Sequence, residues 1–277
     1  MPHVEDRFEG YDGLALYENR WLPEGDAAAA VVVVHGFLEH SGRHAEVAVE
    51  LNRHGYAVYA IDLRGHGKSE GDRVFVGSFL EYLRDVELFL AHVRSQQPDR
   101  PVFLVGFSLG GTIAATLAAR GLADVRGLVL AAPAVQIGRG IFPVLRLLAG
   151  FVGRFLPRLR VVRMGFRKMS RDPAVIAQVE RDPLVFHGRF PARTGAEILS
   201  AVRLIQDMME AIELPLLILH GTGDLVTDAE GSRQLHARAR STDKTLKLYD
   251  GLYHDLFHEP EKEQVLADLV EWLDARR

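Results

Sequence analysis

The sequence predicts an α/β fold, in which a mostly parallel sheet carries helices on both faces. Short apolar runs rich in β-branched residues recur along the 277-residue chain and are typical of buried strands. They span residues 31–35, 56–62, 101–107, 127–133, 215–220 and 245–249. Helical patterns lie between most of them, at 46–54, 79–96, 112–121, 228–239 and 261–275. Strands and helices that alternate in this way indicate a parallel sheet covered on both sides.

Two regions depart from this alternation. Residues 8–22 predict an N-terminal hairpin, with Tyr11-Asp12-Gly13 as its turn. The long gap from 134 to 213 contains no clear central strand. We therefore expect a core domain made of residues 1–134 and 214–277, with residues 135–213 inserted as a lid. The length allows one sizeable core plus such an insertion, and a hydrophobic fraction of 48% is ordinary for a globular domain.

The motif G-x-S-x-G occupies residues 106–110, between a predicted strand and an alanine-rich helix. Glycines on both sides of Ser108 suit a turn too sharp for flanking side chains, which lifts the serine hydroxyl to where a substrate can reach it. Such a serine indicates acyl transfer through a serine ester. A glycine-rich turn with a capping serine would give the same short pattern.

A nucleophilic serine of this kind needs an acid and then a histidine, in that chain order. Asp224 follows the predicted strand 215–220, and His254 lies on the loop after the predicted strand 245–249. The ends of parallel strands are where α/β sheets place their active-site loops. Asp224 could instead be a turn residue or helix cap, Asp228 is a nearby competitor that resembles an N-cap, and His254 is one of 12 histidines. The order and placement of all three favour a Ser108–His254–Asp224 triad.

The oxyanion of a tetrahedral intermediate needs hydrogen-bond donors already aimed at it. The backbone N–H after the nucleophile, that of Leu109, is the first candidate. The second is the N–H of Phe37, in the His-Gly-Phe sequence that follows the buried run 31–34. We interpret His35 as a structural residue of that loop and not as a base.

These motifs together resemble the α/β-hydrolase superfamily, and within it the monoacylglycerol lipase and lysophospholipase branch, over nearly the whole chain. The resemblance rests on H-G-x-x-E-H-S-G-R at 35–43, D-L-R-G-H-G-K-S at 62–69, the G-x-S-x-G motif, and the Asp224 and His254 segments. It implies that Glu39 and Arg43 lie near the polar end of an acyl-glycerol site, as ligands for its hydroxyls. The alternative is a surface ion pair between residues four apart on a helical turn.

The chain departs from that family at three points. Phe107 and Leu109 flank the serine where the family commonly has histidine and methionine, but these positions act through backbone or packing. The chain has no cysteine, so thiol-directed inhibition should fail. The family often has a second histidine three residues after the catalytic one, whereas His258 comes four residues after His254. Whether His258 reaches a glycerol hydroxyl is therefore left open.

The predicted lid is both apolar and basic. We expect apolar residues of its first part to line an acyl tunnel, namely Ile141, Phe142, Leu145, Leu148 and Phe151. Residues 135–200 contain twelve basic and four acidic residues, a net charge of +8, although the whole chain carries −4. Such a lid suits peripheral contact with a lipid surface or an anionic amphiphile. It could equally pack its apolar face on the body and leave its arginines in solvent.

The resemblance and the motifs predict a serine hydrolase of medium-chain or long-chain carboxylic esters, with monoacylglycerols as the expected lipid substrate. The alternatives are a general carboxylesterase or lysophospholipase, and a catalytically silent binding protein of the same fold. We expect no cofactor, no metal and no nucleic-acid partner, since the sequence has neither a metal-ligand spacing nor a dinucleotide fingerprint. The acidic N-terminal residues and the absence of a long apolar run predict a cytoplasmic protein. The oligomeric state is not predicted.

Overall fold

A computed structural model describes residues 2–136 and 150–277 of the chain. Eight strands of these residues form one sheet: β1 (His3–Glu9), β2 (Ala15–Trp21), β3 (Ala29–Val34), β4 (Tyr56–Ile61), β5 (Val102–Phe107), β6 (Gly127–Ala131), β9 (Leu216–Gly221) and β10 (Lys244–Tyr249). Their order across the sheet is β1-β2-β4-β3-β5-β6-β9-β10. The β1–β2 and β2–β4 pairs are antiparallel, and every later pair in this order is parallel.

Both faces of the five central strands β4, β3, β5, β6 and β9 are buried. Val32 and Val34 of β3 point into one apolar cluster, and Val31 and Val33 point into the other. A strand covered on both sides has no polar face, which is why these strands are continuous apolar runs. The helices that cover the sheet include α1 (Ala45–Arg53), α2 (Phe79–Gln96), α3 (Leu109–Ala119), α6 (Ala229–Arg238) and α7 (Lys262–Asp274). The first cluster takes apolar residues from α2, α3 and α6, and the second takes them from α1 and α7.

The predicted strands and helices of the core are confirmed, with small shifts at their ends. The N-terminal hairpin is also confirmed, but β1 begins at His3, five residues before the predicted start. Six of its seven residues are exposed, so this strand has no hydrophobic pattern by which the sequence could reveal it. Helix α3 begins at Leu109 and not at residue 112, because the turn at Ser108 passes directly into the helix.

The segment between β6 and β9 crosses the carboxyl ends of the central strands. Its described part includes a small antiparallel sheet and two long helices, and none of its elements adds a strand to the central sheet. Hydrogen bonds join it to the core: the Phe186 N–H donates to the Leu38 carbonyl at 2.8 Å, and His40 Nε2 lies 2.9 Å from Asp182 Oδ2. The elements are β7 (Arg160–Arg163), α4 (Pro173–Arg181), β8 (Arg189–Pro191) and α5 (Ala192–Met208).

Four of the predicted tunnel residues, Ile141, Phe142, Leu145 and Leu148, lie outside the described residues. The fifth, Phe151, is 63% exposed. Within the described ranges, no helix has the length and apolar character that crossing a membrane requires.

Candidate active site

Ser108 occupies a strained turn between β5 and α3. Its φ of 52° and ψ of −113° lie in a region that non-glycine residues rarely adopt, and such strain is concentrated at functional sites. The neighbouring glycines are required by close packing. A Cβ on Gly106 would lie 2.4 Å from the Gly110 carbonyl oxygen, and a Cβ on Gly110 would lie 2.1 Å from the Val34 carbonyl oxygen. The turn therefore requires glycine on both sides of the serine.

The structure brings Ser108, His254 and Asp224 together. Nε2 of His254 lies 2.9 Å from the Ser108 Oγ, and Nδ1 of His254 lies 2.7 Å from Oδ2 of Asp224. The three residues follow β5, β10 and β9, at the carboxyl ends of parallel strands. The arrangement has the nucleophile–base and base–orienter contacts that serine acyl transfer requires.

The Asp224 carboxylate accepts hydrogen bonds on both oxygens. Oδ1 accepts from the N–H groups of Val226 at 2.7 Å and Thr227 at 3.0 Å. Oδ2 accepts from the Thr227 hydroxyl at 2.8 Å, in addition to His254, and His220 Nε2 is 3.2 Å away. Burial alone would raise the pKa of Asp224, but the rings of His254 and His220 bring that pKa far below its ordinary value. Asp224 is therefore an ionised carboxylate that is buried and fully hydrogen-bonded.

Sequence reasoning missed His220, which lies at the end of β9 with no exposed side-chain surface. Its Nδ1 is 2.7 Å from the Ser232 hydroxyl oxygen, and its Nε2 faces Asp224. The sequence carried a signal, because His220 lies four residues before Asp224 at the end of the same predicted strand. Asp228, the competitor for the acid role, accepts from the Glu230 N–H at 3.0 Å and caps α6.

Two opposing effects act on the pKa of the buried His254 side chain. Burial alone would lower the pKa of His254, but the Asp224 carboxylate outweighs it and holds that pKa above the ordinary histidine value of 6.5. The ring also packs against Phe107, with centroids 5.1 Å apart. A neutral His254 can accept a proton from Ser108, and the adjacent carboxylate stabilises the imidazolium that results.

The loop after β3 approaches the serine closely. A Cβ on Gly36 would lie 3.1 Å from the Ser108 Cβ, so the backbone just before Phe37 passes beside the serine. His35 is a structural part of this loop: its Nδ1 donates to the Gly36 carbonyl at 2.6 Å, and its Nε2 accepts from the Leu63 N–H at 2.9 Å. Leu109 is the first residue of α3, where backbone N–H groups have no intrahelical acceptor.

Glu39 and Arg43 form an ion pair, with Arg43 Nε 2.9 Å from Glu39 Oε2. The pair is buried and not on the surface, since the two side chains are only 6–7% exposed. Glu39 Oε1 also accepts the Gly36 N–H at 2.6 Å, and Arg43 Nη2 donates to Asp255 Oδ2 at 2.6 Å. Both residues line a small pocket next to Phe37. The pocket is closed on its other side by Met164, Gly165, Phe166, Met169 and Val179 of the inserted segment.

His258 uses both ring nitrogens within the protein. Nδ1 lies 2.7 Å from Asp255 Oδ1, and Nε2 lies 2.9 Å from the Arg43 carbonyl oxygen. In the part of the chain that the structure describes, no group of three or more His, Asp or Glu side chains is placed to hold a metal ion.

Comparison with known proteins places this site in a family. Residues 25–261 match the family model described as serine aminopeptidase, S33. The chain is 36% identical to the monoacylglycerol lipase of Mycolicibacterium smegmatis, over 97% of this chain and 96% of that one. It is 35% identical to the monoglyceride lipase of Homo sapiens, over 100% of this chain and 91% of that one.

Solved structures agree with this relationship. The crystal structure of the Paleococcus ferrophilus monoacylglycerol lipase is 31% identical and superposes with a TM-score of 0.85, covering 95% of this chain and 99% of that one. The fold is also that of a soluble variant of the monoglyceride lipase from Saccharomyces cerevisiae, with a TM-score of 0.90, 23% identity and coverage of 100% and 95%. The chain therefore belongs to the α/β-hydrolase family described as serine aminopeptidase S33, in the branch that contains the monoacylglycerol lipases.

Proposed function

We propose that this protein is a serine hydrolase that cleaves esters of medium or long acyl chains, with monoacylglycerols as its substrates. The observation that carries the proposal is the hydrogen-bonded series Ser108–His254–Asp224 at the ends of three parallel strands. Full-length similarity to monoacylglycerol lipases supports the substrate class.

In the proposed mechanism, the Ser108 Oγ attacks the ester carbonyl carbon while His254 Nε2 takes its proton. The N–H groups of Phe37 and Leu109 donate to the oxyanion of the tetrahedral intermediate, which collapses to an acyl-serine. His254 gives its proton to the departing glycerol oxygen. It then removes a proton from water, whose oxygen attacks the acyl-serine carbonyl carbon to form a second tetrahedral intermediate. That intermediate releases the fatty acid as His254 returns the proton to the Ser108 Oγ. Asp224 keeps the Nδ1–H tautomer of His254 and stabilises its charged form.

We assign the small pocket beside Phe37 to the alcohol half of the substrate. Its polar lining is the Glu39–Arg43 pair, and its apolar lining includes Met164, Phe166 and others from the inserted segment. A glycerol group carries hydroxyls that lose water on binding and need polar partners. The carboxylate and guanidinium of this pair supply an acceptor and donors at the place where the leaving alcohol would lie.

The inserted segment 135–213 would act as the lid, and its outer surface would contact lipid. Four apolar side chains of that surface, which we call the cap patch, are 48–63% exposed: Phe151, Phe155, Leu156 and Leu159. Phe151 and Phe155 pack against each other, with ring centroids 4.6 Å apart and the ring planes inclined by 46°. Contiguous exposed apolar groups beside arginines suit a peripheral contact with an anionic lipid surface. The acyl tunnel assigned to Ile141, Phe142 and Leu145 stays a prediction.

A panel of esters tests this function. Monoacylglycerols from acetyl to long acyl chains are compared with p-nitrophenyl esters of the same acids and with lysophospholipids. Each methylene buried in an acyl site contributes about 0.8 kcal/mol, so kcat/KM should rise by up to about fourfold per methylene until the site is full. Ser108→Ala should remove nearly all hydrolysis, whereas Ser95→Ala, at an exposed position on α2, should not.

Three outcomes would contradict the proposal. A folded Ser108→Ala protein with near-normal turnover would exclude the serine mechanism. A preference for acetyl esters that declines with chain length would exclude the lipid substrate and favour a general carboxylesterase. Higher kcat/KM for lysophospholipids than for monoacylglycerols would transfer the assignment to the lysophospholipase alternative.

A further inference from the structure

His258 is buried between two hydrogen-bond acceptors. The Arg43 carbonyl oxygen, 2.9 Å from Nε2, can only accept, so Nε2 must carry a hydrogen. Asp255 Oδ1 lies 2.7 Å from Nδ1, and the other oxygen of the same carboxylate accepts from Arg43 Nη2. An ionised carboxylate is also only an acceptor, so Nδ1 must carry a hydrogen as well. A histidine ring with hydrogens on both nitrogens is an imidazolium.

The charges around His258 favour that state. Asp255 lies on the same short turn, Glu39 and Arg43 face the ring from the loop after β3, and from the inserted segment the uncharged Ser170 hydroxyl donates to the His258 carbonyl. Burial alone would lower the pKa of His258, and Arg43 acts in the same direction, but the Asp255 carboxylate outweighs both and raises it. Burial alone would raise the pKa of Asp255, which His258 and Arg43 instead hold below its ordinary value.

The same contacts connect two loops of the proposed active site. The Gly36 N–H donates to Glu39 at 2.6 Å, Glu39 accepts from Arg43 at 2.9 Å, and Arg43 donates to Asp255 at 2.6 Å. His258 closes the series by contacting both Asp255 and the Arg43 carbonyl. Gly36 adjoins the proposed oxyanion donor Phe37, and Asp255 adjoins His254. The series therefore runs from the oxyanion loop after β3 to the histidine loop after β10.

We propose that His258 is an imidazolium at neutral pH and that, with Asp255, it is a positioning pair that fixes the Phe37 loop relative to the His254 loop. The positioning role rests on the function proposed above, whereas the protonation state does not. Neither side chain of the pair is hydrogen-bonded to Ser108, whose hydroxyl contacts His254. The pair acts through Arg43 and Glu39, which hold the loop that carries the proposed oxyanion donor Phe37.

The pH dependence follows from the direction of the shift. A histidine whose pKa is raised by folding contributes its full stabilisation below the ordinary histidine pKa and loses it as pH rises through the raised value. We therefore expect the melting temperature of the wild type to exceed that of His258→Gln at pH 6, and the difference to shrink as the pH rises through the raised pKa of His258. Wild-type kcat should decline over the same alkaline range, and His258→Gln should lack this decline.

The direct test is long-range ¹H–¹⁵N NMR of the ¹⁵N-histidine-labelled protein. The His258 signals are assigned by through-bond correlation and by their absence in His258→Gln. We expect both ring nitrogens of His258 to show protonated-type shifts at pH 7. A non-protonated ring nitrogen on His258 at pH 7 would overturn the proposal. This readout uses no substrate, so it is independent of whether the protein hydrolyses esters.

Kinetics of the variants test the positioning role. Asp255→Asn keeps the shape of the side chain and removes the charge, and His258→Gln cannot donate to both acceptors at once. Each should lower kcat on both glycerol and p-nitrophenyl esters, by up to about 100-fold, because misplacing catalytic donors by 1 Å costs about that much. His236→Gln is the control and should leave kcat unchanged. Wild-type kcat and an unaltered alkaline decline in both folded variants would overturn the positioning role.

Discussion

The substitution Asp224→Asn exchanges one carboxylate oxygen for an amide and keeps the shape of the side chain. In the structure, Oδ1 accepts two backbone N–H groups, and Oδ2 accepts the His254 Nδ1–H and the Thr227 hydroxyl. Whichever way the asparagine amide turns, its NH₂ group faces donors. Either the backbone turn at residues 226–227 loses its acceptor, or His254 must adopt the other tautomer.

Both consequences have an expected size. The wrong histidine tautomer and the lost charge cost serine proteases about 10⁴ in kcat, which is about 5 kcal/mol of transition-state stabilisation. A buried donor left without its acceptor costs about 1–3 kcal/mol of folding stability. We therefore expect Asp224→Asn to lose about four orders of magnitude in kcat for a monoacylglycerol, with a modest decrease in melting temperature.

Asp228→Asn is the matched control, four residues away. Asp228 caps α6 through the Glu230 N–H, and asparagine caps helices about as well as aspartate does. Its kcat and melting temperature should both stay near the wild-type values. The measurement is continuous fatty-acid release at saturating substrate, together with thermal unfolding. If folded Asp224→Asn kept more than a tenth of wild-type kcat, or if Asp228→Asn lost more activity than Asp224→Asn, the assignment of the acid would be wrong.

Three further predictions concern pH, the alcohol site and the lid. Asp224 raises the pKa of His254, and the reaction needs neutral His254. We therefore expect kcat/KM to fall with decreasing pH through a midpoint above 6.5, and a midpoint below 6 would contradict this. Arg43→Gln should lower kcat/KM more for a monoacylglycerol than for the p-nitrophenyl ester of the same acid, since only the first carries glycerol hydroxyls; equal losses would leave Arg43 with a positioning role alone. Co-sedimentation with anionic vesicles should weaken with added salt and in the double variant Arg154→Gln, Arg158→Gln, and binding that ignores both changes would exclude lipid contact through the lid.

The central sheet could be predicted from the sequence because of how it is buried. Strands such as β3 and β5 have helices on both faces, so every residue of these strands is buried and each is a continuous apolar run. Strand β7 could not be predicted in this way. Its four residues read Arg-Val-Val-Arg, without an apolar–polar alternation, and are mostly exposed. The strand pairs only with the three-residue β8. Short exposed strands are fixed by tertiary pairing, for which a single sequence has no local signal.

The site divides in a similar way. Ser108, Asp224 and His254 could be nominated because each follows a recognisable strand, and strand ends of one parallel sheet meet at one edge. The hydrogen-bond partner Asp255 of Arg43 could not be predicted from the sequence, because the two residues are 212 positions apart and only the folded chain brings them together. The spacing of Glu39 and Arg43 correctly suggested an ion pair but gave no indication that it is buried.

The central claim is that Ser108 is the nucleophile of this hydrolase, and covalent labelling tests it most directly. The protein is treated with a long-chain fluorophosphonate, an analogue that traps an activated serine, and its intact mass and labelled peptide are measured alongside monoacylglycerol hydrolysis. We predict one adduct per chain, located on Ser108, with activity lost in proportion to labelling and no adduct on Ser108→Ala. An adduct on another residue, or a fully labelled Ser108 that leaves hydrolysis intact, would contradict the proposed mechanism.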